Sequence, residues 1–260
     1  MESNTVTTSE KPSLINLQLG WPSPRLFAAS GLLGGATQVL ASESETAATL
    51  IYGPHVGHPP LREIVAGWLS SVYGTNIDHE WISINKGASG NLANILLNFT
   101  DPLYTRKIFM FKAETEVQAI TSFKKADQPD KPTLKVGRSY PKIFKYVIYL
   151  VPTFSNPSGK TLSLQMRKDL VLLAQRLVDI DRSIPGYSTW GNIVGNGSFS
   201  KVIGPGVRVG WADSAPAFAT ELAEVGRVSD RFNSSRQFIV HILFQFLSTA
   251  LDGNFGDRLV

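Results

Sequence analysis

"NGSFSKVIGPGVRVGW", residues 196–211, sets one lysine and one arginine among four glycines, two serines and a proline. A lysine that attacks a carbonyl must first lose its proton, and a neighbouring cation or removal from water helps it do so. Ser198 and Ser200 bring hydroxyl groups to either side of Lys201, and the Gly204–Pro205–Gly206 turn lets Arg208 come back to the same place. The planar fork of arginine grips phosphate oxygens in pairs. The stretch reads either as a glycine-rich turn or as the anchor of a covalently held, phosphate-bearing cofactor. The surrounding chain decides between them.

Leu61, Ile64, Val65, Trp68, Leu69 and Val72 fall at helical spacing, which predicts an amphipathic helix over 60–73. "WISINKGASGNLANILLNF", 81–99, reads as a strand, a turn at 87–90 and a helix that turns Leu92, Ile95, Leu96 and Phe99 inward. "KIFMF", 107–111, reads as a short buried strand, with a helix after it to about residue 125. "YVIYLV", 146–151, is the continuous apolar run of a parallel strand covered on both faces. Ser163 is placed to cap a helix carrying Met166, Leu170, Leu173, Ala174 and Leu177 on one side. This alternation predicts an α/β fold, a mostly parallel sheet with helices on both faces. Ligands of such sheets bind beyond the carboxyl ends of the strands, so the turns at 87–90, 153–161 and 196–208 are the candidate site.

Composition removes other classes. The chain has 260 residues, 43% hydrophobic and 18% charged, with a formal net charge of +4. Lys and Arg are nowhere dense enough to track a nucleic-acid backbone. Without cysteine there is no disulfide framework and no thiolate chemistry. No apolar run reaches the length of a membrane span, and the polar stretch 1–14 reads as a disordered arm, so a cytoplasmic protein is expected. The Asn-X-Ser/Thr triplets at Asn98, Asn196 and Asn233 read as incidental.

"SGKT", 158–161, lacks the glycine that a nucleotide-binding loop places six residues before its lysine; Phe154 stands there, and Pro157 removes an amide. His55 and His58 lack a third ligand, and Gly57 and Pro59 break the helix that would align them, so they read as a surface turn and no metal is expected. "GASGN", 87–91, is either a plain helix start or an anion site made by free amides and the helix dipole.

Taken in order, the segments "LGWPSP", "YGPHVGHPPLREIVAGWL", "GASGNLANIL", "TDPLYTRKIFM", "YLVPTFSNPSGKT" and "NGSFSKVIGPGVRVGW" resemble the class I/II aminotransferases, and most closely their aminoadipate, aromatic and valine–pyruvate subgroup. The resemblance implies the large domain of fold type I pyridoxal-phosphate-dependent transferases over 15–251, with 252–260 opening a small C-terminal domain that lies beyond Val260. It implies that Lys201 bonds to the aldehyde of pyridoxal 5'-phosphate, and that Ser198, Arg208, Ala88 and Ser89 hold the phosphate. Asn156 would reach the cofactor's 3-oxygen, and Gly20 would line the substrate side. Tyr52 would reach the cofactor of the other subunit of a homodimer. The substrates would be an amino acid and a 2-oxo acid.

The chain departs from this pattern in named places. "AETEV" puts Glu116 where the family stacks an aromatic ring on the pyridine. The family's acidic strand, whose Asp pairs with the pyridine nitrogen, is missing between the 163–177 helix and the lysine loop; Asp179 and Asp181 are the nearest substitutes. Loss of one partner of a buried charge pair costs about 3–5 kcal/mol, roughly two to four decades in rate if felt wholly at the transition state. Three readings result: an aminotransferase, a catalytically impaired homologue that at most binds the cofactor, and a lyase on the same scaffold.

Overall fold

The computed structural model describes residues 22–103, 105, 107–110, 143–156, 158–179, 193–230 and 235–252. Helices α1 (Ala29–Ala41), α2 (Glu43–Leu50) and α3 (Pro59–Tyr73) precede strand β1 (Ile82–Asn85) and helix α4 (Gly87–Phe99). Strands β2 (Lys107–Met110) and β3 (Tyr146–Tyr149) follow, then α5 (Leu164–Asp179), β4 (Gly195–Ser198), β5 (Gly210–Asp213), α6 (Pro216–Asp230) and α7 (Ser235–Asp252).

β5 lies between β1 and β4 and runs antiparallel to both, while β2 and β3 form a separate parallel pair among the described residues. Of the three ladders among the described residues, β1–β5 and β4–β5 are antiparallel and β2–β3 is parallel, so the parallel arrangement expected from the sequence is seen here only in the two-stranded piece. The reversal has a local cause. Only the turn 199–209 joins β4 to β5, and so short a link cannot carry the crossover that parallel neighbours need.

Strand alternation separates two layers. Ile82, Ile84 and Trp211 join a core with Leu61, Val65 and Leu69 of α3 and Val240, Leu243 and Leu247 of α7. On the opposite face Ala212 packs with Phe99 of α4 and Phe218 and Leu222 of α6. Helices therefore cover both faces, as expected. Arg62 ties the first layer to the sheet: its Nε donates to Ile82 O at 2.7 Å and its Nη2 to His79 O at 2.9 Å, with Glu80 at 3.6 Å. The β2–β3 pair hangs from the second core. Phe144 N donates to Phe99 O at 2.9 Å, and the Thr105 hydroxyl donates to Phe144 O at 2.7 Å.

Several expectations shift. α3 buries Leu61, Val65 and Leu69, but Val72, in the last turn before Gly74 ends the helix in the left-handed conformation, is 60% exposed. The turn expected at 87–90 is the first turn of α4 itself. β3 is half-buried rather than covered on both faces, and Ile108 of β2 is 45% exposed, since no helix packs closely on this two-stranded piece among the described residues. Ser163 does cap α5, accepting from Met166 N at 3.2 Å. The arm 1–14, Gly20, Glu116, Asp181 and the helix expected near 125 lie outside the described residues. Among those described, no helix is long and apolar enough to cross a membrane, and no group of three or more His, Cys, Asp or Glu is placed to hold a metal.

His58 corrects a further expectation. Its half-buried ring lies 4.1 Å from that of His241 on α7, tilted by 39°, with Phe244 at 5.3 Å, while Glu45 of α2 stands 3.6 Å from His241 Nδ1. Burial, and second the neighbouring His241, push the His58 imidazole down to about 4. Burial also lowers His241, against the pull of Glu45. The unfolded chain takes a proton near the ordinary value of 6.5 that folded His58 refuses until about 4, so its contribution to stability is complete above 6.5 and is lost across that window as pH falls. Thermal melts should show wild type losing more of its melting temperature between pH 7 and pH 4.5 than a His58→Phe variant. Equal losses would contradict the pairing.

Candidate functional site

Three strand ends meet in one row: Asn85 of β1, Gly210 of β5 and Ser198 of β4 are register partners. Immediately after Asn85 the chain turns at Gly87, φ +82°, into α4. Its N-cap, Lys86, makes no side-chain cap bond, and no acidic residue occupies the first turn. The first amides of a helix have no intrahelical acceptor, and together with the helix dipole they present positive potential. That end of α4 therefore presents positive potential with no side-chain cap.

The loop after β4 brings the matching groups. Phe199, Ile203 and Val209 are buried at 2%, 3% and 0% exposure, which fixes both ends of the loop in the core and leaves Lys201 exposed between them. Phe199 N donates to Val209 O at 3.1 Å, and Ile203 N to Phe199 O at 2.8 Å, closing the turn that carries Lys201. Ser198 Oγ donates to Ser200 Oγ at 2.9 Å and accepts from Ser200 N at 3.2 Å. Arg208 returns across the Gly-Pro-Gly turn as expected, and its Nη2 donates to Lys86 O at 3.2 Å. It does so in the left-handed conformation, φ 49°, which costs a non-glycine residue on the order of 1–3 kcal/mol and persists only when the surroundings hold it.

Gly87 measures how closely these groups converge. A Cβ built there would lie 3.5 Å from Ser198 Oγ and 3.7 Å from Arg208 Nη2. Hydroxyl, guanidinium and helix amides thus surround one small space. Gly210 permits the approach: a Cβ there would meet Gly197 O, would lie 2.7 Å from Gly87 Cα, and would lie 3.1 Å from Asn85 Oδ1. Behind it Trp211 covers Gly197, whose own Cβ would enter the indole. Trp211 in turn meets Phe199 and Trp68 at centroid distances of 5.0 and 5.4 Å.

The structure brings Ser198 and Arg208 to the start of α4, whose first turn holds Ala88 and Ser89, and leaves Lys201 exposed on the loop between the two side chains, while the other expected residues stand apart. Tyr52 is 81% exposed, and Asn156 is exposed in a turn closed by Ser155 N to Lys160 O at 2.8 Å and Leu162 N to Pro152 O at 2.8 Å. No hydrogen bond joins either to the cradle among the described residues.

Two residues escaped the sequence reading. Asn91, fully buried on α4, donates from Nδ2 to Asn196 Oδ1 at 3.0 Å, and Asn196 Nδ2 donates to Ala88 O at 3.0 Å. A polar residue at the inward spacing of an apolar helix was the available signal for Asn91. Asn196 had been read only as part of an incidental triplet.

No family model matches the chain. It is 27% identical to "Aromatic-amino-acid aminotransferase 1" of Thermococcus litoralis over 82% of its own length and 57% of that protein. It is 25% identical to "2-aminoadipate transaminase" of Thermus thermophilus over 91% of its length and 64% of that protein. Among solved structures, the α-aminoadipate aminotransferase LysN of Thermus thermophilus, complexed with N-(5'-phosphopyridoxyl)-L-leucine, superposes with a TM-score of 0.63 at 22% identity, over 90% of this chain and 64% of that one. The chain spans between 57% and 66% of the curated relatives it first matches.

A Gly210→Ala variant should lose about 1–3 kcal/mol of stability through overpacking, read as a lower urea midpoint, because the methyl group meets backbone on two sides. An unchanged midpoint would show that the crossing has room to spare.

Proposed function

Starting from a chain whose sequence and fold are those of the class I/II aminotransferase-like family, we propose that it binds pyridoxal 5'-phosphate and transfers an amino group between an amino acid and a 2-oxo acid. One observation carries this reading: Ser198, Arg208 and the uncapped start of α4 converge on Gly87, with Lys201 on the loop between the two side chains. The donor set suits a phosphate monoester. Arg208 supplies charge, Ser198 a hydroxyl, and Ala88 and Ser89 the amides. Bound pyridoxal phosphate supplies an electron sink for charge developing at a substrate carbon. Lys201 would provide the amine for the aldehyde, and the same amine would move a proton to and from that carbon.

Asn156 is assigned to the cofactor's 3-oxygen and Gly20 to the substrate side. Tyr52 is assigned to a second subunit's site. Its exposure, with Leu33 at 69%, Leu40 at 57%, Leu50 at 65% and Ile51 at 63%, supports a homodimer that covers these apolar side chains.

A second reading, cofactor binding with little turnover, draws on β4. It pairs with β5 alone among the described residues, so no neighbouring strand offers a carboxylate to the pyridine nitrogen there.

Spectroscopy with trapping tests both. Wild type mixed with pyridoxal phosphate should develop long-wavelength absorbance, and borohydride followed by peptide mass spectrometry should place the pyridoxyl group on Lys201. Lys201→Ala should show neither signal. Arg208→Ala should bind the cofactor about a hundredfold more weakly, the loss of one charged anchor of roughly 3 kcal/mol. A wild type without the band would refute the cofactor assignment; a band indifferent to every added amino acid would leave binding and remove the transfer reaction.

A further inference from the structure

Asn196 commits both ends of its amide to α4: Oδ1 accepts from Asn91 Nδ2 at 3.0 Å, and Nδ2 donates to Ala88 O at 3.0 Å. Asn91 is 0% exposed and Asn196 is half-buried, so the bond is shielded from water on the helix side. Asn196 also stands two residues before Ser198 on β4, and the period of a strand turns both to the face that α4 covers. We propose that Asn91 and Asn196 are positioning residues of the phosphate cradle, holding the first turn of α4 in register with the end of β4 so that the helix amides and Ser198 address one anion; this rests on the cofactor reading above.

The mechanism runs through a single peptide plane. Ala88 O and the Ser89 N–H belong to the same planar trans amide and point in opposite directions. Fixing the oxygen from the β4 side therefore fixes the line along which the Ser89 amide points. A neutral amide does this without adding charge, so the positive field that draws an anion to the end of α4 is left to Arg208 and the helix itself. Binding groups act at full strength only when a supporting shell locks them, and these two bonds tie the first turn of α4 to β4.

The informative variant removes both partners together. Asn91→Ala with Asn196→Leu replaces a buried polar pair by apolar groups, which is close to neutral for folding, whereas Asn196→Leu alone strands the Asn91 amide. The proteins are compared by thermal melting, by NMR titration of the Gly87, Ala88 and Ser89 amides with inorganic phosphate, and by affinity for pyridoxal phosphate against pyridoxal, which has no phosphate. The double variant should melt within about 3 °C of wild type, bind phosphate and pyridoxal phosphate about tenfold more weakly, and bind pyridoxal as before. Unchanged phosphate affinity would overturn the inference, and so would equal losses for both vitamers, the mark of a purely structural pair. A wild type that fails to bind phosphate overturns it as well. A wild type that binds phosphate through these amides yet forms no bond at Lys201 refutes the cofactor reading, while a tenfold loss in the double variant still upholds the positioning role.

Discussion

The structure turns on one close crossing, where β5 passes the start of α4 at Gly210 and Gly87. A Cβ at Gly210 would lie 2.7 Å from Gly87 Cα, and none of the surrounding atoms is the end of a flexible side chain except Asn85 Oδ1. Backbone does not yield as side chains do, so the absence of Cβ atoms is what sets the distance between the helix terminus and the β4–β5 loop. Once that distance is set, Ser198 and Arg208 converge on Gly87. The strain in Arg208 follows from the same crossing, because the chain must re-enter β5 beside Gly87 within two residues of the arginine.

The aromatic cluster behind the sheet makes the crossing rigid. Trp211 fills the space over Gly197 and meets Trp68 and Phe199, so the strand carrying Gly210 is pinned from the α3 side while Asn196 and Ala212 face α4. Packing on one face and buried hydrogen bonding on the other hold the same three strand ends. A loop with a glycine-rich, mobile composition becomes a fixed support for Lys201 because Phe199, Ile203 and Val209 bury its shoulders. Sequence, packing and chemistry are joined at that point.

What was legible in the sequence depended on distance along the chain. Lys201, Ser198 and Arg208 sit within one segment, and the chemistry of a lysine nucleophile beside a phosphate clamp is readable there. α3 showed itself through apolar spacing, and only Val72 strayed, because periodicity does not say how far along a helix the partners on its apolar face extend. Asn91 and Asn196 stand 105 residues apart, and their bond appears only once the β4–β5 register and the seat of α4 are known. His58 and His241 were hidden for the same reason: a histidine before a proline looks like a turn until α7 arrives beside it. The reversed direction of β5 was open to inference from the short loop before it, but the apolar pattern of the strands did not record it.

The space between Gly87, Ser198 and Arg208 is proposed as the seat of a cofactor phosphate. A crystal structure grown with pyridoxal phosphate tests it most directly. The account predicts phosphate density within hydrogen-bond distance of Ser198 Oγ, the Arg208 guanidinium and the Ala88 and Ser89 amides, with continuous density to Lys201. Cofactor density anchored elsewhere, or a clear phosphate at this place with Arg208 turned away from it, would contradict the account.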